Sequence, residues 1–189
     1  MRRMQISEPA EYALLGLLQA RPMHGYEMFQ EFERGTLGEI IHLEMSQLYA
    51  FLKKLERLGY IEATVKEQGS RPPRKVYHLR EEGRALFHTW LLEPVEKPRD
   101  IRILFLIKLY FLRPYASRQP IALVQRQAEA CERFLEHLEQ RQQASIDRQD
   151  PEHFLAHVVL RSRIYQTRSL LAWLTELTAE LQDESSQNS

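Results

Sequence analysis

The stretch that most limits what this chain can fold into runs from Ser46 to Leu79. Its first part, SQLYAFLKKLERLGY, spaces Leu48, Phe51, Leu52, Leu55 and Leu58 at helical intervals, giving one apolar stripe that must be buried. Ser46, Ala50, Lys53 and Arg57 then point the opposite way, with Tyr49 on the shoulder. Gly59 ends the helix, YIEATVKE and RKVYHL have strand-like composition, and QGSRPP turns between them. A helix with a small, polar and cationic outer face, followed by a basic hairpin, suits insertion into a DNA major groove beside a phosphate-gripping wing. That is the winged helix-turn-helix arrangement. The expected class is therefore mainly α, with a small β-hairpin wing and a helical domain after it.

Bulk properties restrict the alternatives. The 189 residues carry no net charge, so no global field draws the chain to nucleic acid or to acidic membranes. Local placement answers this: between Lys66 and Lys75, the cations Lys66, Arg71, Arg74 and Lys75 stand against Glu67 alone. Cys131 is the single cysteine, which excludes an intramolecular disulfide and fits a cytoplasmic protein. ILFLIKLYFL is too short to cross a bilayer and contains Lys108, and MRRMQISEPAEY has no apolar core of a secretory signal.

Organisation follows from breakers and periodicity. Ser7 is a candidate cap for a first helix that buries Leu14, Leu15, Leu17 and Leu18, with Pro9 in its first turn. ARPMHG breaks it, and a second helix begins near His24 or Gly25 and runs to RGTLGE. EEGRALFHTWLL closes a DNA-binding domain over residues 1–92, and EPVEKPRD reads as a linker. A helical dimerisation domain is expected over 99–182 and a disordered tail over 183–189. In the second half, Val124, Ala128, Cys131, Leu135 and Leu138 fall in a 4-3-4-3 spacing, as do Leu160, Ile164, Thr167, Leu171, Leu174, Thr178 and Leu181. Such seams bury themselves against other helices, within the chain or in a second subunit.

The recognition helix offers Ser46, Gln47 and Tyr49 first. Glutamine can pair with adenine in bidentate fashion, serine bonds flexibly, and tyrosine reaches a phosphate or a thymine methyl. Lys53 and Arg57 would meet phosphates one and two turns on, and Tyr26 at the start of the second helix would hold another. Arg71-Pro72-Pro73-Arg74-Lys75 makes a stiff cationic turn. The bland alternative is a solvated helix face and a solubilising turn.

EYALLGLL, RPMHGYEM, SQLYAFLKKLERLGYIE and SRPPRKVYHLREEGRAL occur in an order and spacing that resemble the PadR family of transcriptional regulators. RDIRILFLIKLYFL and the helices after it are similar to the C-terminal domain of the longer, virulence-activator-like branch. The resemblance implies a homodimer joined through its C-terminal helices, commonly a repressor, with double-stranded DNA as partner. Some members take aromatic or multidrug ligands near the dimer interface. Phe87, Trp90 and Phe105 are the candidate residues for a small aromatic effector here, and plain core is the competing reading. Ser46-Gln47 stands where many members have Gly-Thr, so no operator sequence carries over. Arg80 replaces a capping Thr, leaving Glu81 and Glu82 to serve the start of the fourth helix.

His153 and His157 share a helix face without a third ligand, so neither a metal nor a cofactor is expected. Cys131 lies on an apolar seam. No nucleophile triad, paired acids or phosphate loop argues for an enzyme. A protein-binding adaptor with a helical scaffold half is the alternative to a DNA-binding regulator.

Overall fold

The computed structural model describes residues 6–68, 71–113, 119–144 and 151–187, and their side chains except those of 66–68, 71–73, 151–153, 185 and 187. Helix α1 (Pro9–Ala20) is the centre of the first unit, and Ala13 to Leu18 are all buried. Its N-cap is Glu8 and not the expected Ser7, because Glu11 already satisfies the backbone there. The Glu11 carboxylate reaches back to accept the backbone N–H of Ser7 at 2.9 Å and of Glu8 at 3.2 Å.

The same local device starts two more helices. In α2 (Gly25–Arg34), Glu27 accepts the His24 N–H at 2.7 Å, and in α4 (Met45–Arg57), Gln47 accepts the Glu44 N–H at 3.1 Å. Each side chain sits at the third helical position, where it removes one orphan donor from the helix start. Between them lies α3 (Thr36–Ile40), a single short turn in the segment that the sequence suggests merely ends the second helix.

The end of α4 is equally defined. Gly59 adopts φ 78°, the Gly59 N–H donates to Glu56 and the Tyr60 N–H to Leu55. This paired arrangement satisfies the last carbonyls and needs a left-handed residue, which glycine supplies without steric cost. The chain then enters β2 (Ile61–Gln68), which pairs antiparallel with β3 (Arg71–Leu79), from Ile61 opposite Leu79 to Gln68 opposite Arg71. The register shifts between Lys66 and Gln68. Residues 69 and 70, the middle of the expected turn, lie outside the described residues. A third strand not foreseen from sequence, β1 (Met23–His24), pairs with the other edge of β3, giving the order β1-β3-β2. Two residues are too few to show a period of two, so no pattern marked it. Helix α5 (Glu81–Leu92) follows, burying Phe87, Trp90 and Leu91. Its first turn carries the ion pairs Arg84–Glu81 and Arg80–Glu82, each at 3.6 Å.

The chain divides into two compact units, one of residues 1–92 with 102–111, the other of 93–101 with 112–189. Two expectations need correcting here. The helical domain expected from residue 99 loses most of α6 (Pro98–Leu112) to the first unit. The reason is steric and polar: the Phe111 ring sits over Gly16 of α1 and edge-on to Phe87 at 5.4 Å, while the Lys108 ammonium donates to the Trp90 carbonyl. Residues 183–187 of the expected tail are also helical, since α8 (Pro151–Gln187) reaches that far, and residues 188 and 189 lie outside the described residues. Adding a residue to an existing helix costs little once the nucleus is formed.

In the second unit, α7 (Gln119–Gln143) packs along α8, and Glu139 pairs with Arg168 at 2.7 Å while Arg113 reaches Glu184 at 3.6 Å. The two seams meet within one chain: Leu138, Leu160 and Ile164 form a cluster, with Phe134 and Leu135 against it. Val124, Cys131, Thr167 and Leu174 are buried along the same seams. Near Val95 the expected linker is pinned, because the buried Gln127 amide accepts the Val95 N–H at 2.7 Å and donates to its carbonyl at 2.9 Å. Burial pushes the Cys131 thiol above its ordinary value, although Gln127 donates to its sulfur at 3.8 Å.

The interaction with the largest expected effect on stability lies in the first unit. The Lys54 ammonium of α4 meets the other Glu11 oxygen at 2.6 Å, with Glu11 fully buried. Glu11→Ala strips this pairing, leaves two N–H groups without their acceptor and leaves the Lys54 ammonium without its counter-charge. We expect a loss of about 3 kcal/mol in urea unfolding, the range found when one partner of a buried pair is removed. A loss below about 1 kcal/mol, the scale of an exposed pair, would show that the pair contributes little.

Candidate nucleic-acid interface

Helix α4 has two unlike faces. Leu48, Leu52 and Leu55 are fully buried, with Phe51 and Leu58 half-buried. Ser46, Gln47, Tyr49, Ala50, Lys53 and Arg57 are all exposed, on the face where the wheel places them. Lys53 and Lys54 are neighbours in sequence but differ by about 100° around the helix. Lys53 therefore stands in solvent while Lys54 turns inward to Glu11 and also donates to the Ser7 hydroxyl at 3.3 Å. That inward lysine was missed from sequence. The available signal was Glu11 itself, a carboxylate at helical spacing from Leu14 and Leu18 that needs a cation once buried.

The start of α2 lies directly beside this face. Gly25 is buried, and a Cβ there would stand 2.7 Å from the Tyr49 ring, so only glycine lets the aromatic lie this close. Tyr49 remains 46% exposed and Tyr26, at the next position, 55% exposed. Two tyrosines from two helices are thus presented around one glycine. Beneath them, burial raises the Tyr77 hydroxyl pKa, with Glu56 and Tyr49 adding to the rise.

The wing is fastened to the same helices. His24 pairs with Val76, and its ring Nδ1 donates to the Lys75 carbonyl at 3.0 Å. Lys75 and Arg74 are exposed on β3, and the Lys75 ammonium stands 3.9 Å from Glu56 of α4. Arg71 lies in β3, with its side chain outside the described residues. Four described cations, Lys53, Arg57, Arg74 and Lys75, are therefore exposed on α4 and on the strand tied to it.

Phe87, Trp90 and Phe105, the residues expected to meet an effector, are all buried. The Tyr12 ring stacks on Trp90 at 4.1 Å, and the Lys108 ammonium lies over the same indole at 4.4 Å. Among the described residues, no group of three or more His, Cys, Asp or Glu could hold a metal, and no helix is long and apolar enough to cross a membrane.

Residues 14–89 match the family described as "Transcriptional regulator PadR-like family", and residues 101–182 match "Virulence activator alpha C-term". The chain belongs to the PadR family. It is 26% identical over 174 residues to the negative transcriptional regulator PadR of Bacillus subtilis, covering 89% of this chain and 95% of that one. The probable transcriptional regulator Rv1176c of Mycobacterium tuberculosis is 32% identical over 91 residues, 48% of each chain. The crystal structure of Bacillus subtilis PadR in complex with operator DNA aligns with 27% identity over 92% of this chain and 99% of that one, with a TM-score of 0.47. Its PadR membership makes this chain a transcriptional regulator with a winged helix and C-terminal helices.

The electrostatics at the start of α2 give a measurable consequence. The His24 N–H donating into Glu27 holds that carboxyl below its ordinary range, against a smaller opposing effect of burial, and Arg21 at 3.2 Å adds to the lowering. A group lowered in the folded state stabilises it above the unfolded pKa, near 4.5, and that contribution disappears as pH falls through the folded value. Glu27→Gln should flatten the stability profile between about pH 5 and pH 3, read by thermal unfolding at each pH. An identical acid limb in both proteins would remove this carboxylate from the fold's pH response.

Proposed function

We propose that this PadR-family regulator is a repressor that binds a pseudo-palindromic DNA operator as a homodimer, each subunit placing α4 in the major groove. The observation that carries the reading is the two-faced α4. Its inner face is held by three leucines and Lys54, and its outer face carries Ser46, Gln47 and Tyr49 at the end that addresses base edges. Lys53 and Arg57 stand at one-turn intervals behind them, suited to phosphates as the groove curves away. Tyr26 adds a phosphate donor beside Tyr49. Arg74 and Lys75 carry positive charge along β3 toward the turn, and Arg71 completes that segment.

Repression is supported by the name of the Bacillus subtilis relative, a negative regulator matched over nearly its whole length. Dimerisation through the C-terminal helices is supported by α8. Phe154, Leu155, Val158 and Val159 are exposed by 43–71%, at one-turn spacing on one side of the helix. A contiguous apolar face of this kind marks an association surface. A two-fold dimer would set half-sites one helical turn apart, about 34–36 Å, or a multiple of it. For a planar aromatic effector, Phe87, Trp90 and Phe105 are the proposed place of action. Displacing Tyr12 from Trp90 would disturb α1, the helix that carries Glu11 and so fixes α4.

Gel-shift assays against fragments of the gene's own upstream region test the reading directly, and no retarded complex with any fragment would count against it. Arg74→Ala with Lys75→Ala should weaken binding to all sequences and lower the slope of log K against log salt by about 2 per subunit. An unchanged slope removes the wing from the interface. Leu155→Asp with Val158→Asp should convert a dimer to monomer in sedimentation equilibrium, and a mutant that stays dimeric would place the subunit contact elsewhere.

A further inference from the structure

We propose that Gly25 is a positioning residue for DNA binding: it holds the Tyr49 ring where that ring meets the duplex, and touches no DNA itself. The inference rests on the DNA-binding reading above and adds a residue through which that binding acts. A Cβ at position 25 would stand 2.7 Å from Cε1 of Tyr49 and 3.0 Å from both its Cζ and its hydroxyl oxygen. Those are the three nearest atoms, and all belong to one side chain that is 46% exposed.

Backbone geometry gives no separate reason for glycine here. Among the described residues the positive-φ glycine is Gly59, and Gly25 opens α2 with a backbone that other residues adopt. Alanine is the better helix former. The other close approaches at glycine are of a different kind. At Gly35, Gly38 and Gly83 an added carbon would meet a backbone carbonyl, of Glu31, Phe32 and Tyr60 in turn, and at Gly16 it would meet the Phe111 ring packed in from α6. Among the described glycines, Gly25 is the one that yields its space to the exposed face of α4.

What that space does for Tyr49 is to select one placement. A tyrosine on a helix has two common χ1 wells, near 180° and −60°. Leaning on a bare Cα keeps the ring in one of them, and a methyl group at position 25 would occupy the same volume and turn the ring away. Fixing a free side chain during association lowers affinity, and a ring already in place avoids that loss. Tyr49 also lies near enough to Tyr77 to add to the rise in that phenol's pKa. The ring is thus set against the start of α2 and close to β3, the strand of the wing.

The test uses the full-length protein and a duplex that it selects from a randomised library. Affinities are compared for the unaltered chain, Gly25→Ala, Tyr49→Ala and the double variant, with thermal unfolding of each. Gly25→Ala should weaken binding about tenfold while its unfolding temperature does not fall. In the Tyr49→Ala background the same change should have no further effect, because the ring it displaces is gone. The slope of log K against log salt should be the same in Gly25→Ala as in the unaltered chain, since neither residue carries charge. The free, unaltered protein should show a nuclear Overhauser effect between the Gly25 α-protons and the Tyr49 ring protons. Equal weakening in both backgrounds overturns the proposal, as do weakening in neither and a missing Overhauser effect. A loss with a lower salt slope overturns it too, since that traces the effect to His24 next door and the Lys75 carbonyl it holds. A Gly25→Ala chain that fails to fold shows that the ring cannot give way, and overturns it as well. Tyr49→Ala binding as tightly as the unaltered chain overturns it yet leaves DNA binding standing. Failure of the unaltered protein to select any duplex overturns the binding reading itself.

Discussion

A single buried carboxylate ties α1 to α4. Glu11 takes two backbone N–H groups on one oxygen and the Lys54 ammonium at 2.6 Å on the other, inside a helix that is apolar on almost every side. An ion so placed loses its hydration and is tolerable only when every lone pair finds a donor. The requirement is directional where hydrophobic burial is not. Three leucines bury one face of α4, and the Lys54 ammonium at 2.6 Å from the buried Glu11 favours the roll that turns that lysine inward. The outward positions of Ser46, Tyr49, Lys53 and Arg57 follow from that rotation.

The remaining parts of the candidate interface are tied to the same frame by short-range bonds. The His24 ring holds the Lys75 carbonyl, β1 pairs with β3, and Lys75 leans toward Glu56. The strand of the wing, the start of α2 and the middle of α4 therefore form one connected set. A cationic strand with the same residues but no such ties would lose more conformational freedom on meeting a phosphate backbone.

Much of this frame was legible from sequence because it follows from periodicity. The spacing of Leu48, Leu52 and Leu55 located α4, Gly59 marked its end, and the strand-like composition of YIEATVKE and RKVYHL around QGSRPP marked the hairpin. The wheel likewise separated the exposed face of α4 from the buried one. What escaped was decided by partners distant in sequence. Nothing near Glu11 announces Lys54, 43 positions later. Gly25 carries no pattern, yet it governs how closely Tyr49 approaches. The apolar run around Phe105 reads correctly as a helix, but its allegiance to the first unit depends on Phe111 meeting Gly16 and Lys108 meeting Trp90. The two C-terminal seams were visible as spacing. That they meet each other within one chain was not, because identical spacing serves an intramolecular hairpin or a partner subunit.

Cys131 gives the second unit an unexpected chemical character. Its sulfur is enclosed on the α7 seam, its proton is held more tightly than in water, and a neighbouring amide points at it. Thiol oxidation proceeds through the thiolate and needs an approach path, so both requirements are suppressed at once. Cys131 is therefore poorly placed, in the folded unit, to react with peroxide or with a second thiol.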